Sequence, residues 1–332
     1  MPFRVAQKLL SECGFPKGQS WAAIAEKLEE DDIRKRADYT KLEAALIETL
    51  IVSEKSLALF RLGEDEMRSV YRGVDQLEKN LPDSPFREAF PYALNEQELW
   101  KANSEPVPVA VYEWEKVTAV VFCGPRVLET REELPASAFD GGDRYASIIG
   151  IRRSVVQSYS AVVVPHVGNT IEVFVDAPGD VPDKPIELDH FAVALAFNKA
   201  INTNALKGRV NLFPAISPLY ASDEGMVSHL GHTVSTSVKH EKMRGAGRCV
   251  RQELFHAGGF RAVDGQITPF SIGVVWGLDD ETTTVSNPSL SIEGTYMMTY
   301  QANPVVDIAT VRKCASYEDA SFVVERLLAH IP

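Results

Sequence analysis

The sequence predicts an α+β protein: a helical, partly β N-terminal lobe followed by a larger, mainly antiparallel β-rich lobe with a buried central helix and a C-terminal helix. Three observations lead there. Residues 1–80 carry helical periodicities. Residues 109–332 carry many β-branched runs that do not alternate regularly with helices, which argues against a doubly wound parallel sheet. Between them, 81–108 is punctuated by Pro82, Pro85, Pro91, Pro106 and Pro108, and reads as a connector between two domains.

In the first lobe, Trp21, Ile24, Ala25 and Leu28 fall at i, i+3, i+4 and i+7 behind Ser20, a good N-cap. This resembles one helix of a helix-turn-helix. The following EEDDIRKRADY is acidic and lacks a tight glycine turn, so an ordinary amphipathic helix is the preferred reading. Leu46–Val52 and Leu57–Leu62 read as a hairpin around SEKS, with a helix over 39–52 as the alternative. Met67, Val70, Tyr71, Val74 and Leu77 mark a helix after Gly63, and its acidic start suits the helix dipole.

Beyond the connector, VAVYEWEKVTAVVFC is strand material, Leu128–Leu134 a short turn or helix, and Gly141-Gly142 a loop before Tyr145–Ile151. The clearest stretch runs from Val155 to Ile201. Ile171, Val173 and Val175 alternate with Glu172, Phe174 and Asp176, which predicts a strand with two distinct faces. Pro165 to Asn169 breaks it from the valine run 162–164, with Gly168 and Asn169 suited to positive φ. Asp183 then N-caps a helix that admits Pro185 in its first turn. Its Leu188, Phe191, Leu195, Phe197 and Ile201 spread nearly all round, the pattern of a buried helix. Val227–Val238, Cys249–Phe255, Ile267–Trp276 and Leu290–Tyr300 are further strand candidates. Ser316 caps a final helix with an apolar face of Val323, Val324, Leu327, Leu328 and Ile331.

Composition bounds the function. With 46 acids against 34 Lys and Arg in 332 residues, the net charge of −12 disfavours nonspecific nucleic-acid binding, so any polyanion site is a local patch. Cys13, Cys123, Cys249 and Cys314 form no C-x-x-C pair; reduced thiols and a cytoplasmic location follow, with neither a disulfide framework nor a cysteine zinc site. No apolar run reaches membrane-span length and no signal peptide is expected.

The patch is KHEKMRGAGRCVR. Lys239, Lys242, Arg244, Arg248 and Arg251 stand against a single acid, Glu241. Gly245 and Gly247 let a ligand approach the backbone, and the arginines fork onto phosphate oxygens. His240 and Arg261 extend the patch, and Arg152, Arg153 and Lys207-Gly208-Arg209 turn it into a groove if the fold brings them near. Tyr159, Phe213, Phe255 and Phe260 are then candidates to stack bases. The competing reading is a solvated turn whose arginines pair with acids elsewhere. Neither a complete Walker motif nor a dinucleotide motif is present.

His229 and His232 suggest a metal site, but on a strand residues three apart face opposite ways. His232 and His240 share a face of one continuous strand at a separation of about 26 Å. No metal or cofactor is therefore expected unless His256 joins from elsewhere. There is no G-x-S-x-G elbow, and no lysine follows an acid by two positions as in restriction-type nucleases. The reading ranked first is a binding or regulatory protein that holds nucleic acid or a phosphorylated small molecule through 239–251, without a membrane. The alternatives are a metal-dependent hydrolase or nuclease using His229, His232, His240 or His256, and a scaffold that self-associates or meets a partner through the N-terminal lobe.

Overall fold

A computed structural model describes residues 3–28, 38–135, 137, 139–141, 144–177, 183–245, 247–277 and 286–332. The first third holds helices α1 Phe3–Glu12, α2 Trp21–Leu28 and α3 Tyr39–Val52, strand β1 Lys55–Arg61, then α4 Glu64–Lys79, α5 Pro85–Ala89 and α6 Glu96–Lys101. β2 Val107–Glu113, β3 Val117–Leu134, β4 Ile148–Pro165 and β5 Thr170–Asp176 follow, leading into α7 Asp183–Ala200. The last third comprises α8 Ile216–Ala221, β6 Met226–Val234, β7 Ser237–Lys242, α9 Leu254–Ala262, β8 Thr268–Val275, β9 Ser289–Glu293, β10 Ala309–Arg312 and α10 Tyr317–Ala329.

The α+β class holds. All ten strands join one antiparallel sheet in the order β2-β3-β4-β5-β1-β10-β9-β8-β6-β7. β1 belongs by sequence to residues 1–80, yet it sits in the middle of the sheet, paired to β5 on one side and β10 on the other. The division at 81–108 therefore does not separate two sheets. That segment carries α5 and α6 and runs into β2.

The period-2 pattern decides the layers. Ile171, Val173 and Val175 face α4 and α7, together with Ala58, Phe60, Val120, Phe122 and Val162. Phe174 points to the opposite face, with Leu57, Leu59, Val121 and Val163, against α3, α8 and α10. Helices thus cover the sheet on both sides, which is why its central strands read as apolar runs.

Several local expectations change. Residues 46–62 are not a hairpin: Asp38 caps α3 by accepting from the Lys41 N–H at 2.9 Å, and Glu54, at φ 51, turns the chain into β1. Leu128–Leu134 is strand, because β3 pairs with β4 along its whole length, from Val117↔Pro165 to Leu134↔Ile148. The 290–300 strand ends at Glu293 and gives way to a 3-10 turn at Tyr296–Tyr300. The central helix is buried on one side only. Val193, Phe197 and Ile201 meet the sheet, whereas Leu188 and Phe191 are 70% and 65% exposed. Residues 29–37, most of the EEDDIRKRADY segment weighed for a helix-turn-helix, Gly142, and the side chains of Asp183 and Pro185 lie outside the described residues.

Two polar clusters mark the sheet's centre. Lys55 is fully buried and forms an ion pair with Asp176, its register partner on β5. Its ammonium also donates to the Tyr159 carbonyl at 2.6 Å, and the Tyr159 N–H donates to the second Asp176 oxygen at 2.6 Å. Nearby, the Tyr317 hydroxyl, whose ring stacks on Trp114, donates to Glu172 at 3.2 Å. Burial pushes the Glu172 carboxyl up to about 8. The folded state then holds a proton that the unfolded chain releases above about 4.5, so this contribution to stability is complete below that value and lost as pH rises through 8. Glu172→Gln is expected to flatten the decline in stability between pH 5 and 8, read from urea midpoints. Identical pH dependence in the variant and the parent would refute it.

Candidate functional site

The basic segment begins on the β6–β7 hairpin. Ser235 and Thr236 turn the chain, so His229 faces Lys242, Leu230 faces Glu241 and His232 faces Lys239. Residues opposite one another in an antiparallel pair share a face. His232, Lys239 and Glu241 therefore lie on one face, and His229, His240 and Lys242 on the other. The turn corrects the single-strand reading of His232 and His240: they stand on adjacent strands and face opposite ways.

After Lys242 the Met243 N–H still pairs with the Ser228 carbonyl at 2.8 Å, and the chain then leaves the sheet. Gly245 and Gly247 take φ values of 93° and 78°. A Cβ at either position would meet nothing within 4 Å, so the glycines serve the backbone turn and crowding does not require them. Arg244 and Arg248 are exposed on this loop.

Arg251 corrects the expectation. Its guanidinium turns inward and donates to the carbonyls of Leu219 at 2.7 Å, Tyr220 at 2.8 Å and Gly225 at 3.0 Å. These include carbonyls at the C-terminal end of α8, where a cation satisfies orphan acceptors and suits the dipole. It is a structural clamp, removed from the phosphate set. Cys249–Phe255 is likewise not a strand. A 3-10 turn at Val250–Gln252 leads into α9, whose N-cap Glu253 accepts from the His256 N–H at 2.6 Å.

The proposed groove does not assemble. Arg152 and Arg153 lie on β4, and strands β5, β1, β10, β9, β8 and β6 stand between it and β7. Arg153 pairs with Glu129 at 2.8 Å, and Arg209 with Asp307 at 3.2 Å. Among the aromatic candidates, Tyr159 is buried, Phe213 and Phe260 are half-buried, and Phe255 is exposed at the start of α9.

What sequence reasoning left conditional does occur: α9 brings His256 to the hairpin. His256 Nδ1 lies 2.8 Å from Glu241 Oε1, and His232 Nε2 lies 3.7 Å from the same oxygen. The two rings meet edge to face at 5.6 Å. On its far side, His256 Nε2 lies 2.8 Å from the Tyr220 hydroxyl. Both imidazoles are buried, His232 at 4% and His256 at 5% exposure. Burial lowers the His232 pKa, and the Glu241 carboxylate acts against that shift. Glu241, in sequence the lone acid of a basic run, is the hinge of this cluster, and Tyr220 had no signal at all. His229 is absent from it: it pairs with Glu293 at 2.8 Å on the opposite face, and Ser271 donates to the same carboxylate at 2.6 Å. His240 packs its ring against Phe270.

No protein-family model, curated protein or solved structure matches the chain.

Proposed function

We propose that the protein binds a phosphate-bearing polyanion, nucleic acid foremost, through Lys239, Lys242, Arg244 and Arg248. One observation supports this reading. None of the four forms an ion pair among the described residues, so no carboxylate neutralises them there. The four stand on one hairpin and its loop, Lys239 on one face and Lys242 on the other, in a chain of net charge −12, which argues against a turn whose cations are neutralised by acids elsewhere. β7 is an edge strand, and lysines on edges also block strand addition. That accounts for Lys239 and Lys242; it leaves Arg244 and Arg248, which lie off the strand. The buried free thiols accord with a reducing compartment, the cytoplasm.

The test is a fluorescence titration against labelled single-stranded and duplex nucleic acid at about 50 and 200 mM salt. Each phosphate contact contributes roughly 0.7–0.9 to the slope of log affinity against log salt. The Arg244→Ala/Arg248→Ala variant is expected to bind more weakly and to lose up to about two contacts' worth of slope. Absence of binding at low salt sinks the reading. The second reading, a metal-dependent hydrolase, is favoured by the arrival of His256 beside His232 and Glu241; turnover that stops with a chelator would promote it.

A further inference from the structure

We infer that His232, Glu241 and His256 form a binding site for one divalent transition metal ion of the zinc type. Each side chain offers one donor atom, and the three atoms lie within 4.8 Å of one another. The donors come from β6, β7 and α9, so the fold assembles them. A tetrahedral ion with bonds of 2.0–2.2 Å separates its ligand atoms by about 3.3 Å. The observed 2.8 and 3.7 Å to the shared Glu241 oxygen bracket that value, and the three donor atoms already lie within 4.8 Å of one another.

His232 supplies the second, independent observation. Its Nδ1 is buried with no hydrogen-bond partner among the described residues, and its Nε2 reaches Glu241 only at 3.7 Å, too long for a hydrogen bond. Buried imidazoles are ordinarily hydrogen-bonded. A cation on Nε2 gives that nitrogen the partner it otherwise lacks, while Nδ1, which then carries the proton, has none among the described residues, unlike the outer nitrogen of His256. His256 is prepared differently. A metal at Nδ1 leaves the proton on Nε2, where the Tyr220 hydroxyl stands at 2.8 Å to accept it, and such outer contacts fix the ring and tautomer of metal-bound histidines. Tyr220 is in turn held by Arg251, which binds its backbone carbonyl.

The donor set decides the class of ion. Two imidazoles and one carboxylate suit zinc and its neighbours, whereas calcium and magnesium prefer all-oxygen shells. Three protein ligands leave a position for water or a ligand atom, the arrangement of reactive sites as opposed to closed structural ones. Glu241, the most exposed of the three, marks the side from which that position is reached. The inference rests on these three residues and stands whether or not the basic segment binds a polyanion.

The test uses the full chain, stripped with a chelator and titrated with Zn2+ against a chromophoric competitor; Co2+ substitution reports coordination by its absorption. One equivalent is expected to bind, with the intense Co2+ bands of a four- or five-coordinate site. Glu241→Gln, which keeps a hydrogen-bonding oxygen beside His256, is expected to weaken Zn2+ binding at least tenfold. Tyr220→Phe is expected to weaken it by about tenfold or more through the lost outer contact. Circular dichroism and melting of each apo variant separate lost ligation from lost folding. No Zn2+ binding by the parent protein overturns the inference. So does one-equivalent binding that survives unchanged in both Glu241→Gln and His232→Asn, which would place the ion elsewhere.

Discussion

Asp176→Ala is expected to destabilise the protein by about 3–5 kcal/mol, the cost of leaving one member of a buried ion pair uncompensated. Lys55 has no exposed surface, so its ammonium would retain only the Tyr159 carbonyl. The Tyr159 N–H would also lose its acceptor. Burial already lowers the Lys55 pKa against the pull of Asp176. The reverse change, Lys55→Met, is expected to cost less, because Asp176 is partly exposed and water can solvate the carboxylate left behind. The double variant Lys55→Met/Asp176→Leu is expected to recover most of the loss, since well-packed apolar residues often replace a buried pair at little cost. A double-mutant cycle by urea denaturation measures all three. An Asp176→Ala effect below about 1 kcal/mol would show that the pair is not a supporting element of the sheet.

Phe197→Ala is expected to cost a similar amount, about 3–5 kcal/mol, while Phe191→Ala six residues earlier on the same helix changes stability by less than about 0.5 kcal/mol. Both are aromatic residues of α7, but Phe197 is fully buried, its ring edge-on to Phe122 of β3. α7 is held to the sheet by one stripe of side chains. Two polar ties assist: Arg126 to Asp189 at 2.6 Å, and buried His190 to the Ser56 hydroxyl at 2.8 Å. With its other side in solvent, α7 cannot redistribute a lost contact to a second layer. Melting of the two variants tests this directly. Equal effects would mean that the helix is enclosed all round, as its composition alone suggests.

That pair of phenylalanines shows where sequence reasoning stops. Alternation in 171–176, the stripe from Met67 to Leu77 and the Ser316 cap were legible because each depends on neighbours within a few residues. Ser316 does accept from the Asp319 N–H, and α4 does start at Glu64. The open side of α7 was not legible, since hydrophobicity records what a residue tolerates and not what lies opposite it. Leu128–Leu134 became strand because Ile148 and its neighbours arrived to pair with it. In the candidate site, the basic run was visible, but which of its members turn inward was not. Arg251 depends on carbonyls some thirty residues upstream. The meeting of His256 with Glu241 depends on a chain reversal through the 3-10 turn and the Glu253 cap, which no spacing rule encodes.

The placement of β1 has a consequence for synthesis on the ribosome. Its pairing with β10 spans only Lys55↔Val311 to Leu57↔Ala309, yet it joins the strands before residue 177 to those after residue 225. At 5–20 residues per second, β10 emerges roughly 13–50 s after β1. Until then one backbone edge of β1 has no partner, and the segment is apolar on both faces, Leu57 and Leu59 on one and Ala58 and Phe60 on the other. An unpaired edge of that kind recruits other strands. Nascent chains stalled between β5 and β10 should therefore be the species that associate with chaperones and with each other.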